Sequence, residues 1–107
     1  MRIGIILQSG DSERVWNAFR FGIVSLKAGH KATVFLMNEG AELGNVPDTK
    51  DFDISAKTAE FKELGGEIYA CGTCLEIRNK RENAVCPVST MTDLLKLVEE
   101  SEKVLVF

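Results

Sequence analysis

The chain is poor in the residues on which several common chemistries depend. It has one histidine, three cysteines and two prolines in 107 residues. Three is an odd number, and a disulfide framework in a short secreted chain wants an even count. Three thiolates also fall one ligand short of a structural zinc site. The lone histidine, His30, follows a helix end and reads as a solvated capping residue rather than a ligand or base. Basic charge is not in excess: 13 Lys and Arg face 16 Asp and Glu, a net charge of −3. That balance argues against nucleic-acid binding by phosphate neutralisation. No apolar run approaches the roughly 18 residues of a bilayer span. The opening Met1-Arg2-Ile3-Gly4-Ile5-Ile6-Leu7 is too short an apolar stretch for a secretory leader, so the expectation is a cytoplasmic protein. Neither a Walker A motif nor G-x-G-x-x-G occurs, which disfavours a nucleotide enzyme.

What is present is ordinary for a folded domain: 45% hydrophobic and 27% charged residues. The length suits one domain, residues 1–107, with one real core. Residues 2–7 form a continuous apolar run, the pattern of a strand buried on both faces. Asp11 or Ser12 caps a helix whose apolar residues recur at Val15, Trp16, Phe19, Ile23 and Leu26, and Gly29 ends it. Trp16, Phe19 and Phe21 read as core or subunit contact. Thr33–Met37 is a second buried strand, followed by the polar turn Asn38-Glu39-Gly40. The stretch from Ala41 to Asp51 is long for a connection, with room for a short helical turn. Asp53 or Ser55 starts a helix that Gly65-Gly66 stops. Glu67–Cys71 is a third strand, and Gly72–Arg78 a short helix. Ala84-Val85-Cys86 is a short strand candidate closed by Pro87. Ser89 or Thr90 caps a last helix, with Asp93 completing a capping-box pattern. Its expected apolar face is Met91, Leu94, Leu95 and Val98. Lys103–Phe107 is a final strand. The order βαβαβαβαβ predicts a three-layer, flavodoxin-like α/β fold: a five-stranded, mostly parallel sheet with helices on both faces.

In such sheets ligands lie beyond the carboxyl ends of the strands. Three loops qualify: Gln8 to Ser12, Asn38 to Gly40, and Cys71 to Cys74. Cys71 ends a strand just before a helix, where the helix dipole and free N–H groups favour a thiolate, the nucleophilic form. Gly72 leaves the approach to its sulfur open. Cys74 lies one turn on and either resolves a species on Cys71 or packs. Both thiols also read as small buried hydrophobes, and spacing alone leaves the two readings level. The C-x-x-C also suggests a thioredoxin-like site, but its place after the third strand fits that fold poorly. Cys86 reads as a strand-end core residue. Ser9-Gly10 with Ser12 is a weak anion signal. Gln8, Asn38 and Glu39 can line a site as hydrogen-bonding groups, and Arg78, Lys80 and Arg81 read as a solvated face.

The segment from Ile68 to Arg78, Ile-Tyr-Ala-Cys-Gly-Thr-Cys-Leu-Glu-Ile-Arg, resembles the cysteine motif of the DsrE-like sulfur-relay family, which includes the TusD-type subunits. Val34–Gly40 resembles that family's strand and acidic-Gly turn. Thr90–Leu95 and Glu102–Phe107 resemble its last helix and strand. The Cys-Gly-x-Cys spacing resembles a smaller archaeal and bacterial branch. The resemblance implies a cytoplasmic sulfur carrier or sulfurtransferase without a cofactor or bound metal. Cys71 would take sulfane sulfur as a persulfide and pass it to a partner, with Cys74 assisting. Gly72, Thr73, Gln8, Asn38 and Glu39 would line the site. It further implies sulfur donor and acceptor proteins as partners, assembly into a homotrimer or hexamer, and no nucleic acid or membrane span. The alternatives are a non-catalytic oligomeric binding or assembly protein of the same fold, and a dithiol redox protein.

Overall fold

The computed structural model describes residues 1–79 and 87–107. Strands and helices alternate as the pattern predicts: β1 (Arg2–Leu7), α1 (Ser12–Lys27), β2 (Lys31–Leu36), a 3₁₀ segment (Asn38–Asn45), α2 (Ile54–Glu63), β3 (Glu67–Cys71), α3 (Gly72–Ile77), β4 (Val88–Ser89), α4 (Met91–Glu100) and β5 (Lys103–Val106). The five strands form one sheet, β4-β3-β2-β1-β5, and every pairing is parallel.

Strand order fixes where the helices go. From β1 to β4 each crossover steps the same way along the sheet. Right-handed connections therefore place α1, α2 and α3 on one face. The last crossover returns from β4 to β5, beside β1, and that reversal sends α4 alone to the opposite face.

The three-helix face is densely filled. Ile3, Ile5 and Leu7 of β1 align with Ala32, Val34 and Leu36 of β2, and Ile68 and Ala70 of β3 continue the rows. These side chains pack under Val15, Ala18, Phe19 and Ile23 of α1, Phe61 of α2 and Leu75 of α3. The rings of Phe19 and Phe61 meet edge to face at 5.5 Å. Trp16 sits at the rim, its Nε1 donating to Asp53 Oδ1 at 2.7 Å. With that carboxylate engaged, the start of α2 is capped from further away: Asp48 Oδ1 accepts from Ser55 N at 2.7 Å. The Ser55 hydroxyl first, and then this backbone N–H, hold the Asp48 carboxyl below its ordinary pKa.

The opposite face is thinly covered. Helix α4 comes close to the sheet at Gly4, where a Cβ would lie 2.6 Å from Leu97 Cδ2. Seating Leu97 there turns α4 away from its expected contact face. Leu94 and Leu97 are half-buried, whereas Met91 and Leu95 are each 57% exposed and Val98 is also exposed. The helix carries two overlapping apolar stripes, and the one that fits Gly4 is chosen. A capping box starts it as predicted: Thr90 Oγ1 accepts from Asp93 N, and Asp93 accepts from Thr90 N at 2.9 Å. Between α4 and the sheet lies a cavity of about 580 Å³, lined by Thr33, Phe35, Tyr69 and Lys96 among others.

The fourth strand differs from expectation. The predicted segment 84–86 lies outside the described residues, and the observed strand begins after Pro87 rather than ending at it. Ala70 N donates to Pro87 O at 3.0 Å. Proline lacks only the donor, so its carbonyl can open the ladder that Val88 and Ser89 continue.

Candidate functional site

The carboxyl ends of β1, β2 and β3 bring Gln8, Asn38 and Cys71 to one edge of the sheet. The closeness of the first two loops depends on Gly40. A Cβ there would lie 2.1 Å from Leu7 O, so the 3₁₀ segment can press against the end of β1 only with glycine at this position. The chain enters that segment through Asn38 at φ 51°, a left-handed conformation that asparagine tolerates better than most residues. Its side-chain Nδ2 donates to Gln8 Oε1 at 3.4 Å. Its backbone N–H donates to Cys74 Sγ at 3.3 Å.

The two candidate thiols are both free and differ in setting. Cys71 is buried, 3% exposed, while Cys74 is half-buried. The two thiols are close enough for Cys71 to bear on the titration of Cys74. The helix-start argument for Cys71 does not hold as predicted: its side chain accepts no N–H from the first turn of α3, a helix of only six residues. The backbone N–H that reaches a thiol comes instead from Asn38, and it reaches Cys74. Burial pushes the Cys74 thiol above its ordinary pKa. The Asn38 N–H opposes that rise, the Cys71 thiol adds to it, and the Arg78 guanidinium opposes it.

Arg78 is not part of a solvated face, as its sequence context predicted. It closes the site, donating from Nη1 to Cys74 O at 3.2 Å and from Nε to Glu42 Oε2 at 3.3 Å. Glu39 Oε1 lies 3.9 Å from Nη2 of the same guanidinium. Glu39 lies in the first turn and Glu42 at a kink inside the segment (φ −92°, ψ 19°), and both carboxylates reach Arg78. Glu42 was missed in the sequence because its stretch reads as irregular; the three-residue spacing to Glu39 was the available signal. Lys80, Arg81 and Cys86 lie outside the described residues.

The structure thus brings Gln8, Asn38, Glu39, Cys71 and Cys74 together. Gly72 is buried at the start of α3, and Thr73 is exposed beside it. His30 is elsewhere, at the amino ends of the strands, where its Nδ1 accepts from the Met1 amino group at 2.7 Å. The first loop offers little to an external anion. Asp11 caps α1 with its own carboxylate, accepting from Arg14 N at 3.1 Å, and Ser9 Oγ accepts from Asp11 N.

An all-parallel α/β sheet with two free thiols one helical turn apart on its carboxyl edge defines a class of small cysteine-bearing proteins of flavodoxin-like build. Within that class the chain belongs to the DsrE/DsrF-like family, whose model matches residues 1–107. It is 31% identical over 100 residues to an uncharacterized protein of Methanopyrus kandleri, covering 89% of this chain and 83% of that one. It is 29% identical over 102 residues to an uncharacterized protein of Methanocaldococcus jannaschii, covering 89% and 88%. The fold matches the crystal structure of the YchN protein from E. coli with a TM-score of 0.82 at 19% identity, covering both chains completely. It also matches a conserved protein of unknown function from Bacteroides thetaiotaomicron, TM-score 0.77 at 18% identity, over 99% and 94% of the two chains. Family membership suggests a role related to sulfur relay. No helix among the described residues is long and apolar enough to cross a membrane.

Proposed function

We propose that the protein is a sulfur carrier in which Cys71 takes up sulfane sulfur as a persulfide and hands it to an acceptor thiol. The observation that carries this reading is the pair of free thiols one helical turn apart at the carboxyl edge, with a backbone N–H and a guanidinium beside Cys74, in a chain of this family. The chemistry asks little else of the site. The Cys71 thiolate attacks the outer sulfur of a donor persulfide; a new S–S bond forms, and the donor leaves as its thiolate. In the second step an acceptor thiolate attacks that same outer sulfur and Cys71 leaves. Each transfer exchanges one S–S bond for another, so neither step requires a metal or an external electron carrier. Gln8, Asn38, Glu39, Gly72 and Thr73 form the lining. The site is proposed to work in the cytoplasm, between a donor and an acceptor protein.

The reading is tested on the Cys74→Ser, Cys86→Ser double variant, in which Cys71 is the one remaining thiol. After exposure to inorganic polysulfide its intact mass should rise by one sulfur atom, and removal of Cys71 as well should abolish the gain. Loading that instead follows Cys74, or is equal without Cys71, contradicts the assignment.

A trimer or hexamer belongs to the same proposal. Exposed Met91 and Leu95 of α4 with Val104 and Val106 of β5 make an apolar area on the thinly covered side, and β5 is an edge strand. Light scattering should return a multiple of 11.8 kDa, and a clean monomer contradicts it.

A further inference from the structure

We infer that Cys74 is a resolving thiol: when no acceptor collects the sulfur, it discharges the Cys71 persulfide as hydrosulfide and closes a Cys71–Cys74 disulfide that a dithiol reductant reopens. This inference rests on the persulfide reading above and gives the site a second exit.

The geometry carries it. Cys71 immediately precedes α3 and Cys74 is the third residue of that helix, so the two are one turn apart on the same side. The two thiols are close enough for Cys71 to bear on the titration of Cys74. A disulfide needs Cα atoms within roughly 7 Å, and residues one helical turn apart satisfy that limit. Cys74 is held for the attack from a second side, by the Asn38 N–H at 3.3 Å. That donor suits a sulfur carrying negative charge, either as the attacking thiolate or as the displaced one when the disulfide is reopened.

The step balances. The Cys74 thiolate attacks Sγ of Cys71, the inner sulfur of the persulfide. The Cys74 Sγ–Cys71 Sγ bond forms, the bond from Cys71 Sγ to the outer sulfur breaks, and the electron pair leaves with that sulfur as HS⁻. The sulfane sulfur is reduced to sulfide and the two cysteines are oxidised to a disulfide. A dithiol then takes over the disulfide and restores both thiols. Attack on the outer sulfur would only move the persulfide from one cysteine to the other.

Timing follows from the same surroundings. The groups that bear on the charge of Cys74 are Cys71 beside it, the Asn38 N–H from the 3₁₀ segment and the Arg78 guanidinium, which is itself paired with Glu39 and Glu42. Burial wins among them and keeps Cys74 protonated at neutral pH, so discharge is slow there and quickens as pH rises toward its raised pKa.

The experiment loads the Cys86→Ser protein with inorganic polysulfide, removes the excess, and follows sulfide and intact mass in the absence of thiols. The expected result is one sulfide per chain and a final mass two hydrogens below the reduced chain, reversed by added dithiol. Cys74→Ser and Cys74→Ala in the same background should keep the added sulfur and release none in that time. Sulfide release from the Cys74-containing protein should speed up with pH. If it keeps its sulfur as long as the Cys74 variants do, the inference falls alone. If the Cys74 variants never take up sulfur, the persulfide reading falls and takes the inference with it.

Discussion

The two faces of the sheet are built from the same strands and end in opposite states. One carries three helices and a closed core in which Phe19, Phe61, Val15 and Leu75 are fully or nearly fully buried. The other carries one helix, leaves Val106 58% exposed, and holds an open cleft of about 580 Å³. Strand order alone produces this inequality, because three crossovers run one way and one returns. The difference teaches where stability and function can be separated. The closed face holds the fold and presents the three carboxyl-end loops at fixed spacing. The open face contributes little to the isolated chain and is left over for contact with something else.

The sharpest way to break this comparison is to remove one anchor from each face. Phe61→Ala should cost about 3–5 kcal/mol, because it empties the core between α1 and α2. Leu97→Ala, at a half-buried position over Gly4, should cost about 1–2 kcal/mol. Urea unfolding that gives both substitutions the same cost would erase the distinction between the faces.

A smaller effect is expected where the closed face meets the site. Gly40→Ala places a methyl group against Leu7 O, and the resulting strain should cost about 1–3 kcal/mol. Relief of that strain moves the Asn38 N–H away from Cys74 Sγ. Discharge of sulfide should therefore slow more than uptake by Cys71, and equal changes in both rates would count against the role given to Asn38.

The smallest effect on folding is expected on the open face itself. Leu95→Lys should leave the stability of the chain within about 0.5 kcal/mol, since the side chain is already in water. If the open face joins copies of the chain, the same change should reduce the mass seen by light scattering. A large loss of folding stability with no change in mass would mean that the face is structural.

Much of this architecture is legible in the residues. The apolar runs at Ile3–Leu7 and Val34–Met37, the glycine after α1 and the Thr90–Asp93 capping box all act over a few residues, and each appears where expected. Features that failed to show depend on contacts between distant segments. Two stripes compete on α4, and the one observed sets Leu97 over Gly4, nearly a hundred residues earlier. Asp48 rather than Asp53 caps α2 because Trp16 draws Asp53 away. At the site, the two cysteines and Gln8, Asn38 and Glu39 stood out as carboxyl-end loop residues. Glu42 and the engagement of Arg78 did not, because the kinked segment that carries Glu39 and Glu42 has no period-2 or period-3.6 signature. The donor to a thiol was expected from the helix start and comes from Asn38, whose left-handed backbone is set by the packing of Gly40.

The central claim is that Cys71 holds transferable sulfane sulfur. Cyanide tests it most directly, since it takes the outer sulfur from a persulfide as thiocyanate. Polysulfide-loaded protein carrying Cys74→Ser and Cys86→Ser should yield one thiocyanate per chain, and further change of Cys71→Ser should abolish the yield. Thiocyanate that persists without Cys71, or none from the protein that retains it, would contradict the account.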